Sequence, residues 1–298
     1  MPKANPSVGW ELYRSLLGVL KEGSLSGAAR ALGVAQPTVG RHIGALEKAL
    51  DLVLFTRSPT GLLPTEAALA LKTHAEAMES TAAALERTAA SQGAGVSGVV
   101  RVTASEVIGV EVLPPVIARL RHEHPDLKVE LVLTSRVQDL LRREADIAVR
   151  MTDPKQEMLV ARRIGRVEIG LHATRQYLAD HGTPGSIAEL AQHTLIGFDQ
   201  ETAFVRSMRK RAPTWSRERF SLRTDSDLAQ LALIRAGAGI GFCQVPVAKR
   251  SEALVRVLAR QLTLDLDTWI TMHEDLRNRP SCRVTFEALV AGLQRHVA

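Results

Sequence analysis

The chain has 298 residues, 45% of them apolar and 23% charged, with a formal net charge of +6. That length is too great for one small unit and suggests two or three domains, while the apolar share is ordinary for a globular protein. No run of about eighteen apolar residues is present to cross a membrane. Met1 to Trp10 lacks the apolar core of a signal peptide, so the expected compartment is the cytoplasm. Cys243 and Cys282 are too few for a disulfide framework and have no metal-ligand spacing.

Half of the positive excess lies at the front, where residues 1–60 hold seven Lys or Arg against four Asp or Glu. That balance permits a polyanionic partner without demonstrating one. Trp10, Tyr13, Leu17 and Leu20 recur at the spacing of an amphipathic helix. Two short helices follow. Leu25, Ala28, Ala29 and Leu32 share one face of the first, and Val39, Ile43, Leu46 and Leu50 share one face of the second. Ala29 is small enough for a close crossing, and Gly33 supplies the positive φ that leaves the first helix. Gln36, Pro37, Thr38, Arg41 and His42 are then left at the exposed start of the second helix, the arrangement of a helix-turn-helix.

In that arrangement Gln36 suits adenine, Arg41 suits guanine, and the Thr38 methyl suits thymine in the major groove of duplex DNA. Pro37 fits a first turn, where its missing N–H has no helical partner. The turn-rich Ser58–Gly61 between Leu52–Phe55 and Leu62–Leu63 predicts a β-hairpin wing, on which Arg57 suits a backbone or minor-groove contact. Arg30 is a further phosphate candidate. For Arg30 and His42 a solvated surface role is an equal alternative.

Thr65 caps a long helix predicted to run to about Ser91. Its positions Ala68, Leu71, Ala75, Met78, Ala82, Leu85 and Ala89 alternate spacings of three and four, the seam of a helix packed along a partner helix. Packing against its own domain is the alternative, but the helix outruns what three short helices can cover. Leu71, Met78 and Leu85 are therefore the candidate dimer contacts. Residues 92–98, rich in glycine, read as a hinge.

Beyond the hinge, strands and helices alternate, as in parallel βαβ units. Strands are predicted over 99–102, 128–133 and 146–149, with helices over 110–122 and 137–142. A second set follows, with strands near 167–171, 194–198, 220–223, 239–243, 254–257 and 268–272. Helices over 228–236 and 286–296 complete it. Two α/β lobes joined by crossing strands leave a cleft suited to a small molecule. Ser105, Thr134, Ser135 and Arg150 stand at the C-terminal ends of the first three strands, where such folds bind ligands. Hydroxyls with an arginine favour a small carboxylate. Helix capping is the alternative for Ser105 and Thr134, and an interlobe salt bridge for Arg150. Phe198 and Thr224 are candidate lining residues from the second lobe.

The motifs in this order resemble the LysR-type transcriptional regulators over essentially the whole chain. They run from Ala28–Ala29, Leu32 and Ala35–Gln36–Pro37–Thr38–Val39–Gly40 through Ile43, Leu46–Glu47, Leu54–Phe55 and Arg57 to Thr65–Glu66–Ala67. Pro114, Pro125, Ala145–Arg150, Ala236–Gly241 and His273–Arg277 continue the likeness. The resemblance implies an α/β protein: a winged helix-turn-helix (1–64), a long linker helix for dimerisation (65–91), a hinge (92–98), and an effector domain (99–298). That last part is a two-lobed, periplasmic-binding-protein-like α/β domain, its lobes about 99–165 with 269–298, and about 166–268. It further implies binding of promoter DNA as a dimer or homotetramer, an effector that shifts DNA bending, and consequences for RNA polymerase. Ala35, Gly40, Asp51 and Ala68 depart from the family's habitual serine, serine, glycine and glycine.

Other classes fit less well. Gly237–Gly241 looks like a dinucleotide loop but follows a predicted helix and precedes a strand, the reverse of what phosphate binding needs. Ser207–Lys210 has the serine–lysine spacing of some acyl-transfer enzymes without a companion motif. His122 and His124 point apart on a helix, so no metal, cofactor or catalytic residue is expected. A solute-binding protein explains the rear of the chain but leaves the front unaccounted for. The basic cluster Arg206, Arg209, Lys210, Arg211, Arg217 and Arg219 reads as a solvated loop or an oligomer contact.

Overall fold

The computed structural model describes residues 8–58, 61–90, 96–134, 145–154, 159–201, 206 and 215–297, with backbone only for 87–90. The front unit opens with α1 (Trp10–Glu22), α2 (Leu25–Leu32) and α3 (Gln36–Leu50). Ser24 caps α2, its hydroxyl accepting from the Gly27 N–H at 3.0 Å. Gly33 ends α2 at φ 68°, and Asp51 ends α3 in the left-handed region at φ 54°. Leu16, Ala28, Val39, Leu46 and Leu54 are 0% exposed at the centre of this domain. The predicted stripes of α2 and α3 face inward, whereas the core face of α1 is centred on Leu16 and Val19, to one side of the predicted Trp10–Leu17 line.

The wing lies further along than its leucines suggest, with β1 (Phe55–Ser58) antiparallel to β2 (Gly61–Pro64). Residues Leu52–Leu54 are held out of the hairpin by side chains. The Glu47 carboxylate accepts from the Leu54 N–H (2.7 Å) and the Phe55 N–H (3.4 Å). The Thr65 hydroxyl donates to the Val53 carbonyl (2.8 Å) and accepts from the Ala68 N–H (3.3 Å), opening α4 (Glu66–Ala90). The wing docks on the α1–α2 turn, where the Leu62 N–H donates to the Gly23 carbonyl at 3.2 Å. At Gly61 (φ +133°) a Cβ would stand 2.8 Å from that carbonyl oxygen, so the approach needs glycine.

The rear unit is built on a seven-stranded sheet. Parallel β3 (Gly98–Ala104), β4 (Leu127–Leu133) and β5 (Ile147–Arg150) form its first half, with α5 (Leu113–Glu123) as a crossover. Where a single helix over 110–122 is expected, a π-helical turn (Ile108–Val112) precedes α5. The Pro114–Pro115 pair explains the break, because residues without an N–H are tolerated only in a helix's first turn. Two long strands, β6 (Leu159–Thr174) and β11 (Thr263–His273), pair antiparallel along their length and carry the chain between lobes. A register shift at Thr268/Trp269 marks the crossing, opposite Gly165.

The second half contains α6 (Arg175–His181), β7 (Ile196–Gly197), β8 (Leu222–Arg223), α7 (Asp227–Arg235), β9 (Gly241–Gln244), α8 (Val245–Ala248) and β10 (Leu254–Val257). The last helix, α9 (Pro280–Val297), returns to the first lobe and starts earlier than predicted. Its Leu289 and Leu293 join Val100, Ile108 and Leu113 in the first lobe's core. The second lobe's core is aromatic, with Trp215 edge-on to Phe220 (centroids 5.1 Å apart) and to Phe242 (4.7 Å). The expected fold class is observed, a winged helix-turn-helix in front and an α/β domain behind. The helix predicted over 137–142 falls outside the described residues.

Candidate functional site

On the front unit, α3 has one face sunk in the core and the other bare. Gln36, Pro37 and Arg41 are exposed and Thr38 is half-buried, with an Arg41 Nη2 to Thr38 Oγ1 distance of 3.4 Å. Ala35 at the N-cap makes no side-chain bond, so the first-turn N–H groups of α3 lack the cap that a serine supplies. Arg57 is exposed on β1 and Arg30 on α2. His42 turns toward α1: it is half-buried, with Nδ1 2.8 Å from the Ser15 hydroxyl. That hydroxyl also donates to the Glu11 carbonyl at 3.0 Å. With the one hydroxyl proton used there, the His42 Nδ1–H donates to the Ser15 oxygen.

Along α4 the apolar seam divides. Ala68 and Ala75 are 0% and 1% exposed and Leu71 is half-buried, whereas Met78 is 40% and Leu85 65% exposed. The first turns are thus covered by the domain itself, and Lys21 holds Glu79 at 2.8 Å. Beyond that point Met78 and Leu85 lie open on the seam, with Ala82 half-buried between them.

In the rear unit the predicted strand-end residues do come together. Ala104 of β3 registers with Leu133 of β4 and Val149 of β5, so Ser105, Thr134 and Arg150 follow at one level. The Thr134 N–H donates to the Ala104 carbonyl at 2.9 Å. Arg150 is 9% exposed, and its guanidinium donates to the Thr103 hydroxyl and the Val149 carbonyl, both at 2.9 Å. The Ser105 hydroxyl is buried without a hydrogen-bond partner among the described residues. Ser135 lies outside the described residues.

The second lobe reaches this level through a chain of contacts that the sequence did not disclose. Glu106, next to Ser105, accepts from the Ser226 hydroxyl (2.6 Å) and the Leu228 N–H (3.2 Å) at the start of α7. Ser226 in turn caps α7 by accepting from the Ala229 N–H at 3.2 Å, and its own N–H donates to Thr224 Oγ1 at 3.2 Å. The Thr224 N–H donates to the Gly197 carbonyl at 3.0 Å, beside half-buried Phe198. One lobe's carboxylate therefore completes the cap of the other lobe's helix, where the helix dipole favours a negative charge. The cost falls on Asp227. Its side chain reaches solvent but is crowded by protein, and that desolvation, with the Glu106 charge, raises its carboxyl to about 6.

Further ties join the lobes. Val107 enters the second lobe's cluster around Leu231, Ile234 and Val247. Glu111 takes a two-pronged bond from Arg235 at 2.7 and 2.9 Å, which holds its carboxyl below the usual range. Arg250 donates to the Glu111 carbonyl and to His296 Nδ1, while His296 Nε2 donates to Gln244 Oε1 at 2.9 Å. Burial first, and then the Arg250 charge, push His296 down to about 4. The unfolded chain, with an ordinary value near 6.5, then binds the extra proton at higher pH than the folded one. Stability is therefore lost as pH falls from about 6.5 to about 4, by up to roughly 3 kcal/mol from this group. Urea unfolding of the wild type and of His296→Gln at pH 7 and 4.5 is expected to show a smaller acid loss in the variant. An equal loss in both removes His296 as its cause.

Among the described residues there is no group of three or more His, Cys, Asp or Glu able to hold a metal, and no helix long and apolar enough to cross a membrane. The other buried ionisable pair, Cys243 Sγ and His172 Nδ1 at 3.3 Å, is inert, since burial pushes the thiol up to about 12.

Residues 10–69 match the family model of the bacterial regulatory helix-turn-helix protein, lysR family, and residues 93–294 match the LysR substrate binding domain. The chain belongs to the LysR family of transcriptional regulators. The regulator CrgA of Neisseria meningitidis (serogroup C) is 30% identical over 182 residues, 61% of this chain and 61% of that protein. The chain thus matches about three fifths of the length of such curated relatives. Full-length AphB of Vibrio cholerae has the same fold, with a TM-score of 0.62 at 22% identity over 95% of this chain and 99% of that one. So does CbnR, solved with its target DNA, with a TM-score of 0.66 at 20% identity over 97% and 99%. The family and these relatives are regulators, not enzymes, and the chain joins a front that matches the regulatory helix-turn-helix to a rear that matches the substrate binding domain.

Proposed function

We propose that the chain holds promoter DNA through the exposed face of α3 and the wing, as a dimer paired along α4 and assembled into a tetramer. The observation that carries this reading is the division of α3 into a core face and a bare face bearing Gln36, Pro37, Thr38 and Arg41. In this reading Gln36 and Arg41 read base edges, and Arg57 and Arg30 hold phosphates. His42 stands at the flank of the same helix, oriented by Ser15. Duplex DNA and RNA polymerase, whose access the bound tetramer controls, are the partners, and the cytoplasm is where they meet.

The rear domain tunes that grip. A small carboxylate held by Arg150 with Ser105, Thr134 and Ser135, and lined by Phe198 and Thr224, shifts the balance between two assembly shapes and so the bend of the DNA. It does so only by its difference in affinity for the two shapes. The buried guanidinium beside Thr103, at the ends of three parallel strands, supports an anion there. A ligand that binds only the folded state raises the melting temperature, so a thermal-shift screen of small carboxylates tests this part.

The dimer is tested through α4. Met78→Asp combined with Leu85→Asp puts charges on the exposed end of the seam, with Leu71 left in place. The expected result is a monomer by sedimentation, and a loss on the order of 10²-fold in affinity for a two-half-site duplex, as the linked second contact disappears. Retention of both the oligomer and the affinity contradicts the dimer contacts.

A further inference from the structure

We propose that Gly44 is the point where the backbone of α3 itself meets DNA, a contact that rests on the reading of α3 given above. Glycine is among the least favourable residues inside a helix, so its presence there calls for a cause. The protein's own fold does not provide one. Gly44 is exposed, and a Cβ built there meets nothing within 4 Å. Gly18, Gly23, Gly27, Gly33 and Gly61 each have either a positive φ or an atom within 3.0 Å of where a Cβ would stand. Gly40, one turn earlier on α3, is half-buried and meets only the Leu25 Cδ1 at 3.8 Å, so of the two α3 glycines the exposed one with open space around it is Gly44.

Its position on α3 supplies the cause. Val39, Ile43 and Leu46 face the core, while Arg41, Gly44, Ala45 and Lys48 are all exposed on the opposite side. Gly44 lies one turn after Arg41 and one turn before Lys48. Two long cations therefore bracket a stretch of helix with no side chain of its own beyond the Ala45 methyl. That profile suits a helix seated deep in a groove: the bare backbone approaches the base edges or sugar, and the flanking cations reach outward to either side. A methyl at this position adds nothing that the fold resists, yet it stands where the DNA would be. Gly44 thus sets the depth of docking, and through it which base edges Gln36, Thr38 and Arg41 reach.

The two sides of this account have opposite signs in one variant. Gly44→Ala in the full chain is expected to raise the melting temperature by about 2–4 °C, through helix propensity alone. The same variant is expected to bind at least tenfold more weakly to a duplex enriched by the wild type from a random-sequence library, at fixed salt. Its binding to a shuffled duplex stays within twofold, because that term is backbone electrostatics. Affinity for the enriched duplex within threefold of wild type overturns the proposal. Failure of the wild type to enrich any duplex overturns the reading of α3, and the proposal with it.

Discussion

Arg41→Ala is expected to weaken binding to the protein's preferred duplex by about 1–3 kcal/mol, roughly 5- to 150-fold, while leaving the fold intact. The side chain is exposed, it makes a long approach to Thr38, and it stands on the face of α3 away from the core. Little stability rests on it, so its loss is read in DNA affinity alone. The loss is also selective. A guanidinium that reads guanine costs more on the preferred sequence than on a shuffled one, and relaxes choice at one base position. Arg57→Ala, on the wing, is the contrasting case, with a similar weakening on every sequence and a shallower salt dependence. Competition binding of both variants on both duplexes separates the roles. An equal loss for Arg41→Ala on the two duplexes makes it a phosphate contact instead.

Glu106→Ala is expected to cost about 2–3 kcal/mol of stability, which for a domain of this size lowers the melting temperature by roughly 5–10 °C. The residue accepts two bonds at the N-terminus of α7, one from Ser226 at 2.6 Å and one from the Leu228 N–H at 3.2 Å. Truncation leaves a hydroxyl and a backbone N–H without their acceptor at the junction of two lobes, and removes a negative charge from the positive end of a helix. Relief of Asp227 offsets part of that, since the Glu106 charge is the smaller of the two causes that raise its carboxyl to about 6. Hydrogen exchange should locate the damage, with faster exchange at the start of α7 and little change in α1 to α3. Unchanged exchange across α7 removes Glu106 as an interlobe tie.

How much of this was legible in the sequence depends on how local the cause is. The helix-turn-helix was readable because its core stripe, the Gly33 turn and the Pro37 first turn are written within thirty or so residues. Ser105, Thr134 and Arg150 share one level because strand alternation and the βαβ rule place strand ends together. The wing was read too early, because leucines at 52 and 54 look like a strand. In the fold, Glu47 takes the Leu54 N–H and Thr65 takes the Val53 and Leu54 carbonyls, groups that a ladder would otherwise use. The first part of β6 was missed for a related reason. Ala161, Arg162 and Arg163 are all exposed and show no alternation, and it is the ladder to β11 that makes them a strand.

The interlobe ties were beyond reach. Ser226 before a helical run is a readable cap, but nothing near Glu106 announces that it completes that cap from 120 residues away. His42 shows the same limit in the front domain, since its neighbour Ser15 comes from a different helix.

The central claim is that paired front domains grip duplex DNA and that the rear lobes adjust the grip. Fluorescence anisotropy of the full chain on its enriched duplex, titrated across salt, tests it most directly. The account predicts an affinity that falls by about 10³-fold or more between 50 and 200 mM salt, as several phosphates per front domain exchange counterions for Lys and Arg. An affinity indifferent to salt, or no attachment at the lower concentration, would contradict it.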